Sequence, residues 1–508
     1  MSATDSLAGR YLYKLAANIS SVPLFLVMEA VLPRALGPAA YGNYNFAVSL
    51  FQNFTNFFDL GTSTCLTTSL AKRPREFGLA VFYARVAAAV PMFGLVIAGC
   101  CYLPGAGDLL MPGVPLWLVF PAMLWAWLTW VGRVARGMND ALGLTAASER
   151  VRMAGSALSA CLLVGLYCGG VLDLPVLFAQ QYLVLLLAAA GYLYTMRGSW
   201  ERPLRWTLGG GEVRSYAREF RVYCSPLFVT ALCSVLALSG ERWILQFFAG
   251  SVEQGYFSLS QKIGAACVLF VTALTPLLAR ELAVAHGKGD AAGMARILDR
   301  YAPMLYTMSA WISCFVVLEA PAVLRIFGGD GFAGALAPVR IMALYPIHQG
   351  YGQAAAAIFY ASGNTRSLRN ISLGVLALGP VLTWLLTAPG DMGGLGMGAS
   401  GLALKMVGLQ FLSVNLLFLA ARRSVPFALG RNVLHQFACP AVFLAAGAAS
   451  GFAVSGLGGE DDLFRFAASG ALYVALTLGA GALVPGIFGL TRADLLRALR
   501  LTTGRGTE

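Results

Sequence analysis

The sequence predicts an all-α integral membrane protein with about fourteen transmembrane helices. Of its 508 residues, 58% are hydrophobic and only 12% are charged, whereas soluble domains carry about 25% charged residues. Apolar stretches of about 20 residues, the length that crosses the hydrocarbon core of a bilayer, recur along the chain. These stretches are continuous and do not alternate with period two, so they predict helices rather than the strands of a membrane barrel.

The fourteen predicted spans follow one another along the chain with short connections. Their centres lie near residues 22, 56, 91, 126, 161, 186, 235, 268, 313, 347, 379, 410, 447 and 475. The first apolar stretch is longer than the hydrophobic region of a signal peptide, which is about 7–15 residues, and it leads directly into the second. We therefore interpret it as a retained helix.

The distribution of Lys and Arg predicts how the spans are oriented. Twenty-eight of the 36 Lys and Arg residues fall in alternate connections and near both ends of the chain, whereas the other connections are short and acidic. The basic segments lie near residues 10–14, 72–75, 133–152, 197–221, 280–300, 366–369, 422–431 and 492–505. The positive-inside rule places these segments and both termini in the cytoplasm. The net charge of +12 thus indicates topology and contact with anionic membrane lipids, and it does not predict nucleic-acid binding.

A basic segment with three consecutive glycines divides the chain after the sixth span. We expect an N-terminal lobe of six spans at residues 1–196 and a surface-lying amphipathic linker at 197–222. A C-terminal lobe of six spans is expected at 223–421, followed by two extra spans and a cytoplasmic tail at 422–508.

The sequence partly repeats on the two sides of this linker. The first span ends in MEAVLPRALGPAAYGNYNF and the seventh in GERWILQFFAGSVEQGYFSL. Each segment carries a Glu, an Arg and two glycines in the same order, and the two sets are Glu29, Arg34, Gly37 and Gly42, and Glu241, Arg242, Gly250 and Gly255. A weaker match relates ARGMNDALGL, after span four, to YASGNTRSLR, after span ten. Two lobes in parallel repeat are typical of transporters, with the substrate site between the lobes.

The glycines also predict the local structure after the first span. Glycine at both ends of this segment permits a tight turn on the outer side of the membrane. Pro38 cannot continue the preceding helix, so we expect that helix to end before it.

Several charges lie inside or next to spans on the predicted outer side, where charge is costly and usually faces a cavity or a partner. Lys262 and Lys405 lie about six residues into their spans, too deep for easy snorkelling to the interface. We predict a cationic cavity lined by Arg34, Arg242, Lys262, Arg340 and Lys405. Arg325 and Arg465 are interpreted as interfacial anchors.

The second span carries a polar stripe. Its amides recur every three or four residues, which places them on one helical face, and they are Asn45, Gln52, Asn53 and Asn56. Hydrogen bonding between helices is the structural alternative. Four amides together with Asp59 favour a wet cavity lined by spans one, two, seven and eight. An amide-rich wall suits hydroxylated sugars, and cations near the outer half suit a phosphate or diphosphate.

The sequence contains no motif that predicts an enzyme. There is no G-x-x-x-x-G-K-[ST] motif for nucleotide binding, and the cysteines and histidines form no cluster typical of a metal site. If transport is driven, a proton or sodium gradient is the natural energy source, and no other cofactor is expected. Glu29, Asp59 and Glu241 are the candidate ion carriers.

The stretch KLAANISSVPLFLVMEAVLPRALGPAAYGNYNF, together with fourteen spans in two lobes, resembles the polysaccharide exporters of the multidrug/oligosaccharidyl-lipid/polysaccharide superfamily. The most specific local match is Leu-Gly-Pro-x-x-Tyr-Gly-x-Tyr, from Leu36 to Tyr44. Within that superfamily the chain looks most like the Wzx-type flippases of O-antigen and capsule synthesis. The resemblance implies a fold like that of the multidrug (MATE) transporters.

The resemblance also implies a function. It implies movement of an undecaprenyl-diphosphate-linked oligosaccharide across the bacterial inner membrane by alternating access. The candidate partners are this lipid-linked substrate, membrane lipids, a polysaccharide polymerase and glycosyltransferases.

Three alternatives remain open at this stage. A lipid II flippase shares the fourteen spans and the cationic cavity. A cation-coupled multidrug antiporter shares the two-lobe design but commonly has twelve spans and an acidic, aromatic cavity. A scaffold within a polysaccharide synthase complex would need no cationic cavity.

Overall fold

The structure is a computed structural model that describes residues 7–74, 76–200, 206–225, 228–267, 275–422, 425–426, 428–455 and 462–488. The described residues are almost entirely helical, as the fold class predicted from the sequence requires. The chain divides into two compact units, residues 1–255 and 256–508.

The first unit contains the helices up to α8 and most of α9. They are α1 (Leu7–Asp59), α2 (Thr62–Lys72), α3 (Phe77–Cys100), α4 (Ala106–Leu110), α5 (Val119–Ala141), α6 (Thr145–Cys168), α7 (Leu174–Met196), α8 (Gly210–Cys224) and α9 (Phe228–Ala266). Helix α1 packs on α5 and α6, and α7 packs on the same two helices. A core of aromatic and aliphatic side chains lies between α2, α3, α5 and α8 and includes Leu66, Phe82, Trp130 and Phe220.

The long helices α1 and α9 each contain one residue with non-helical backbone angles. Gly37 has φ 72° and ψ 169°, and Gly250 has φ 80° and ψ −175°. This region of backbone space is accessible almost only to glycine. Each long helix is therefore two helices joined at a sharp kink, and the predicted glycine repeat is a repeat of structure.

The first segment of α1 ends before Pro38, as predicted, but the predicted turn between Gly37 and Gly42 is wrong, because Gly42 is helical. Helical structure resumes directly after Gly37, so Pro38 begins the second segment of α1. Proline suits the first position of a helix because its missing N–H would have no helical partner there and its φ is already helical. The connection between spans one and two is thus a single residue.

The second unit contains the remaining helices. They are α10 (Thr275–Gly287), α11 (Ala291–Leu318), α12 (Ala320–Gly328), α13 (Leu336–Met342), α14 (Tyr345–Ala361), α15 (Thr365–Thr387), α16 (Gly398–Ala421), α17 (Leu429–Ser455) and α18 (Asp462–Leu483). Helix α11 packs on α14 and α17, and α16 packs on α14 and α15. Buried aromatic side chains fill the centre of this unit, among them Tyr306, Tyr351, Phe418 and Phe443.

Local sequence signals place the ends of several helices. Asp173 and Asp290 accept hydrogen bonds from backbone N–H groups in the first turns of α7 and α11, as helix-capping residues do. Gly143 and Gly363 have positive φ values of 79° and 70° just after the ends of α5 and α14, a position that favours glycine. These two glycines lie in the weaker of the two predicted repeat segments.

Most of the fourteen predicted spans correspond to described helices. Within the described residues, ten helices are long and apolar enough to cross a membrane, and one of them runs through the kink at Gly37 and supplies two spans. Helix α9, kinked at Gly250, supplies the seventh span. The centre of the predicted eighth span, near residue 268, lies outside the described residues. Helices α13 and α14 supply the tenth.

The predicted lobe boundaries at residues 196, 222 and 421 stay a prediction. The boundary between the compact units lies inside α9, just after its kink, because packing and sequence repeat divide the chain by different criteria. The predicted basic tail near 492–505 lies outside the described residues, and so do Glu460 and Asp461, two acids of one predicted outer connection.

Candidate functional site

The two kinked helices of the first unit cross at their repeated glycines. A Cβ atom added to Gly42 would lie 2.8 Å from the backbone nitrogen of Gly255 and would overlap the carbonyl oxygen of Ser251. A Cβ atom added to Gly255 would overlap the carbonyl oxygen of Pro38. In each helix the residue that follows the kink therefore touches the second glycine of the other helix, and only glycine permits this approach.

This crossing defines the register of the repeat. The alignment that matches Gly37 with Gly250 and Gly42 with Gly255 also matches Glu29 with Arg242. Glu29 therefore aligns with Arg242, and Glu241 lies one position before the residue that corresponds to Glu29. One lobe carries an acid where the other carries a cation.

The predicted acids of the spans are buried. Glu29 is 9% exposed and Glu241 is 8% exposed. The hydroxyl of Tyr41, itself fully buried, donates to Oε2 of Glu29 at 3.4 Å. Arg242 lies within electrostatic range of both Tyr41 and Glu241. Two acids, one tyrosine and one arginine therefore form a charged cluster on α1 and α9. The acids and Arg242 precede the kinks, and Tyr41 follows the kink of α1.

A set of hydrogen bonds connects the crossing of α1 and α9 to the chain segment at residues 109–112. The amide of Gln246 donates to the hydroxyl of Ser251 at 3.0 Å and to the carbonyl of Pro112 at 3.0 Å. Ser251 donates to the side chain of Asn43 at 2.6 Å, and the indole of Trp243 donates to the carbonyl of Leu109 at 2.7 Å. Asn43 and Gln246 were not among the predicted site residues, although each lies within one of the repeated segments.

The polar stripe of the second span divides between packing and open positions. Asn45 is buried and donates to the carbonyl of Tyr41 in its own helix at 2.8 Å, which favours a packing role. Asn53 donates to the hydroxyl of Ser239 on α9 at 3.2 Å. Gln52 is half-buried and Asn56 is exposed. The part of the stripe toward Asn56 is the part open to a ligand.

Asn56 contacts an arginine whose position in the sequence indicated only the topology of the spans. Arg133 on α5 donates to the side-chain oxygen of Asn56 at 2.7 Å and lies within electrostatic range of Asp59. Position 133 falls in a basic connection, so its charge pattern alone could not distinguish it from ordinary cytoplasmic arginines.

Asp59 has a structural role that the stripe pattern did not predict. Its carboxylate accepts from the backbone N–H of Ser63 at 3.0 Å and from the hydroxyls of Ser63 and Thr62 at 2.7 and 3.0 Å. The hydroxyl of Tyr83 donates to it at 3.3 Å. Asp59 therefore bridges the break between α1 and α2, and these contacts favour a capping role over the predicted role in carrying an ion.

The five predicted cavity cations are divided between the two units. Arg34 is exposed and Arg242 half-buried in the first unit. In the second unit Lys262 is half-buried, Arg340 is exposed, and Lys405 is only 6% exposed within the apolar helix α16. That all five line one cavity stays a prediction.

A buried ion cluster near the predicted cytoplasmic ends of α5 and α6 was also missed. Glu149 is fully buried and accepts from Arg136 at 2.9 Å and from Arg152 at 2.6 Å. Arg152 also donates to the side chains of Ser21 and Asn18 on α1 at 3.3 and 3.2 Å. An acid within a basic connection was the signal that could have identified this cluster.

The predicted linker contains a helix that is docked onto the first unit. The carboxylate of Glu219 on α8 accepts from the hydroxyl of Ser69 at 2.5 Å and from the guanidinium of Arg73 at 2.8 Å. The Ser69 hydroxyl, followed by the Arg73 guanidinium, holds the pKa of Glu219 below its usual range. Tyr216 and Phe220 on the same helix are buried against Phe82. The apolar face of this helix thus packs against α3, and its charged face carries Glu219.

Solved structures show the same fold at low sequence identity. The lipid II flippase MurJ in an inward closed conformation superposes with a TM-score of 0.67 at 11% identity, over 94% of this chain and 99% of the other. A multidrug resistance MATE family transporter of the MOP superfamily superposes in its inward-facing conformation with a TM-score of 0.57 at 15% identity, over 83% of this chain and 99% of the other. At such identities the likeness concerns the fold alone.

The sequence itself matches one protein family. No curated protein gives a significant match to the chain. The family described as polysaccharide biosynthesis protein matches residues 10–280, which is more than half of the chain and includes both glycine kinks, the charged cluster and the linker helix. This multi-pass membrane protein therefore belongs to the polysaccharide biosynthesis protein family.

Proposed function

We propose that this chain is a flippase that moves an undecaprenyl-diphosphate-linked oligosaccharide across the bacterial inner membrane by alternating access. Membership of a polysaccharide biosynthesis family and a transporter fold support a lipid-linked glycan as the cargo. The observation that carries the proposal is the burial of Lys405 inside an apolar span. A charge at such a position is costly, and it is usually retained for a substrate or ion pathway.

The cations are proposed to bind the diphosphate of the cargo. A diphosphate that leaves water needs replacement contacts, and Arg and Lys supply charge-assisted hydrogen bonds of about 1.5–3 kcal/mol each. Arg242, Lys262 and Lys405 are the main candidates, with Arg34 and Arg340 closer to the membrane surface. Several contacts of this size hold a headgroup, while each one remains weak enough to permit its release.

The amides toward the end of α1 are proposed to bind the glycan. Asn56 and Gln52 present donors and acceptors that match sugar hydroxyl groups, and Asn53 extends the same face. Arg133 donates a hydrogen bond to the side-chain oxygen of Asn56, so the N–H groups of the Asn56 amide remain to donate to the sugar.

A proton or sodium gradient is proposed to drive the cycle through Glu29 and Glu241. Both carboxylates are buried next to Arg242 or Tyr41. Protonation or ion binding at either acid would change the charge balance with the arginine. Such a change is what a coupling site requires.

The experiment that tests this proposal is deletion of the gene in its native host, followed by analysis of the lipid-linked glycans. We expect one undecaprenyl-diphosphate-linked oligosaccharide to accumulate on the cytoplasmic leaflet and its surface polymer to disappear. Accumulation of lipid II instead would support the lipid II flippase alternative. Drug sensitivity without glycan accumulation would support the multidrug antiporter.

A further inference from the structure

A charged pocket lies outside the proposed translocation site, between α10 and α11 of the second unit. It is open, it has a volume of about 460 Å³, and its apolar lining includes Val284, Ala285 and Ile297. Its charged lining residues are Glu281, Lys288, Asp290, Arg296 and Arg300. The pocket is therefore lined by both apolar and charged side chains near the ends of two helices.

The two acids of this lining have partners within the protein. Asp290 accepts from the backbone N–H of Gly293 at 2.6 Å and lies 3.5 Å from Arg296. Glu281 lies 3.6 Å from Arg280, which is outside the pocket lining. The lining carries more cations than acids even when the pair between Arg296 and Asp290 is counted as neutral, so its net charge is positive.

The cations approach the pocket from both helices. Arg296 and Arg300 are four residues apart on α11 and therefore share one helical face. Lys288 approaches from the end of α10, and it pairs with no carboxylate within the part of the chain that the structure describes. Tyr301 completes the lining with an amphipathic ring of the kind that is enriched at membrane interfaces.

This combination fits a lipid headgroup better than a free anion. The basic connection at 280–300 is on the side that the sequence predicts to face the cytoplasm, where the leaflet carries anionic phospholipids. Basic pockets between helices on that side bind phosphate headgroups, and the apolar side chains of the lining can contact the first methylenes of an acyl chain. We propose that this pocket binds the phosphate headgroup of an anionic phospholipid from the cytoplasmic leaflet.

The test uses the full-length protein purified in detergent and native mass spectrometry with phosphatidylglycerol or phosphatidylcholine as the probe. We expect the wild type to retain phosphatidylglycerol preferentially. The single variants Lys288→Gln, Arg296→Gln and Arg300→Gln should each weaken its binding about fivefold, the factor that one cation near an anionic surface contributes. Lys288→Gln leaves the pair between Arg296 and Asp290 intact, so it tests the pocket even if the arginine variants fold poorly.

The matched control is Arg366→Gln. Arg366 is an exposed cation of the same unit on the same predicted side, but it does not line the pocket. Unchanged binding in this control, with losses in the three pocket variants, would support the proposal. An equal loss in the control would mean that phosphatidylglycerol follows the general surface charge, and the proposal would be wrong.

Two competition arms identify the source of the phosphate. Displacement of phosphatidylglycerol by millimolar inorganic phosphate would assign the pocket to a free anion and overturn the proposal. Tighter binding of undecaprenyl diphosphate, with the same losses in the variants, would make the pocket a substrate site and would also overturn it. The proposal does not depend on the flippase function, because phospholipid binding is measured without any transport.

Discussion

Gly42 and Gly255 lie at a crossing of two kinked helices where neither position has room for a side chain. A Cβ atom at Gly42 would be 2.8 Å from the Gly255 nitrogen, and a Cβ atom at Gly255 would be 3.0 Å from the Pro38 carbonyl carbon. The obstacle at both positions is backbone, which cannot rotate away as the end of a side chain can. The crossing thus explains why the same glycine spacing occurs in both halves of the chain.

The first prediction is that Gly42→Ala and Gly255→Ala each destabilise the protein by about 1–3 kcal/mol or more, the usual cost of overpacking. Thermal unfolding of the purified protein measures this cost. Gly240→Ala is the control on the same long helix as Gly255, because a Cβ atom there meets nothing within 4 Å. Equal melting temperatures for Gly255→Ala and Gly240→Ala would contradict the crossing.

The second prediction concerns the buried acids. Glu29→Gln and Glu241→Gln should reduce ion-dependent transport in proteoliposomes, because glutamine keeps the shape and hydrogen bonding of the acid but cannot carry a proton or a cation. Asp108→Asn, at an exposed position on α4, is the control and should transport normally. If gradient dependence is unchanged in both acid variants, the acids serve only to neutralise nearby cations.

The third prediction separates Asp59 from these acids. Asp59→Ala removes the acceptor for the first turn of α2, so it should cost about 0.5–2 kcal/mol of stability, as loss of a helix cap does. The gradient dependence of any remaining transport should be that of the wild type. A stable Asp59→Ala protein that has lost its gradient dependence would restore the ion-carrying role.

The fourth prediction is that docking of the linker helix depends on pH. The depressed pKa of Glu219 means that its charged form stabilises the docked state. This contribution is fully present at neutral pH, above the ordinary carboxyl range of about 4, and is lost as the pH falls through the lower pKa of the docked state.

Hydrogen exchange of α8, corrected for the intrinsic rates, measures this docking. We expect less protection at acidic pH than at neutral pH, and we expect Glu219→Gln to show the weakened protection already at neutral pH. Arg218→Gln, at an exposed position on the same helix, should leave the protection unchanged. A pH-independent exchange profile in the wild type would rule out the role of Glu219.

More of the fold than of the candidate site could be predicted from the sequence. Span number and the glycine repeat follow from hydropathy and from backbone freedom, which are properties of short segments and are visible in the sequence. The capping role of Asp59 could not be predicted, because its partner Tyr83 is brought close only by helix packing. For Glu149 the sequence offered only the signal of an acid within a basic connection, and its pairing with Arg136 depends on helix packing. The spacing of the amides along the second span also could not distinguish Asn45, which hydrogen-bonds to its own helix, from Asn56, which accepts a hydrogen bond from Arg133.

The central claim is that cations inside the spans hold the diphosphate of a lipid-linked glycan, and a flipping assay in proteoliposomes tests it most directly. The assay follows a fluorescent undecaprenyl-diphosphate-linked oligosaccharide and compares wild type, Lys262→Ala, Lys405→Ala and Arg242→Ala with Arg465→Ala, which removes a predicted interfacial anchor. We expect flipping to be lost or sharply reduced in the first three variants and retained in Arg465→Ala. Arg242→Lys should keep part of the activity, because the charge survives while the bidentate geometry is lost. Flipping by Lys262→Ala and Lys405→Ala at the rate of Arg465→Ala would contradict the account.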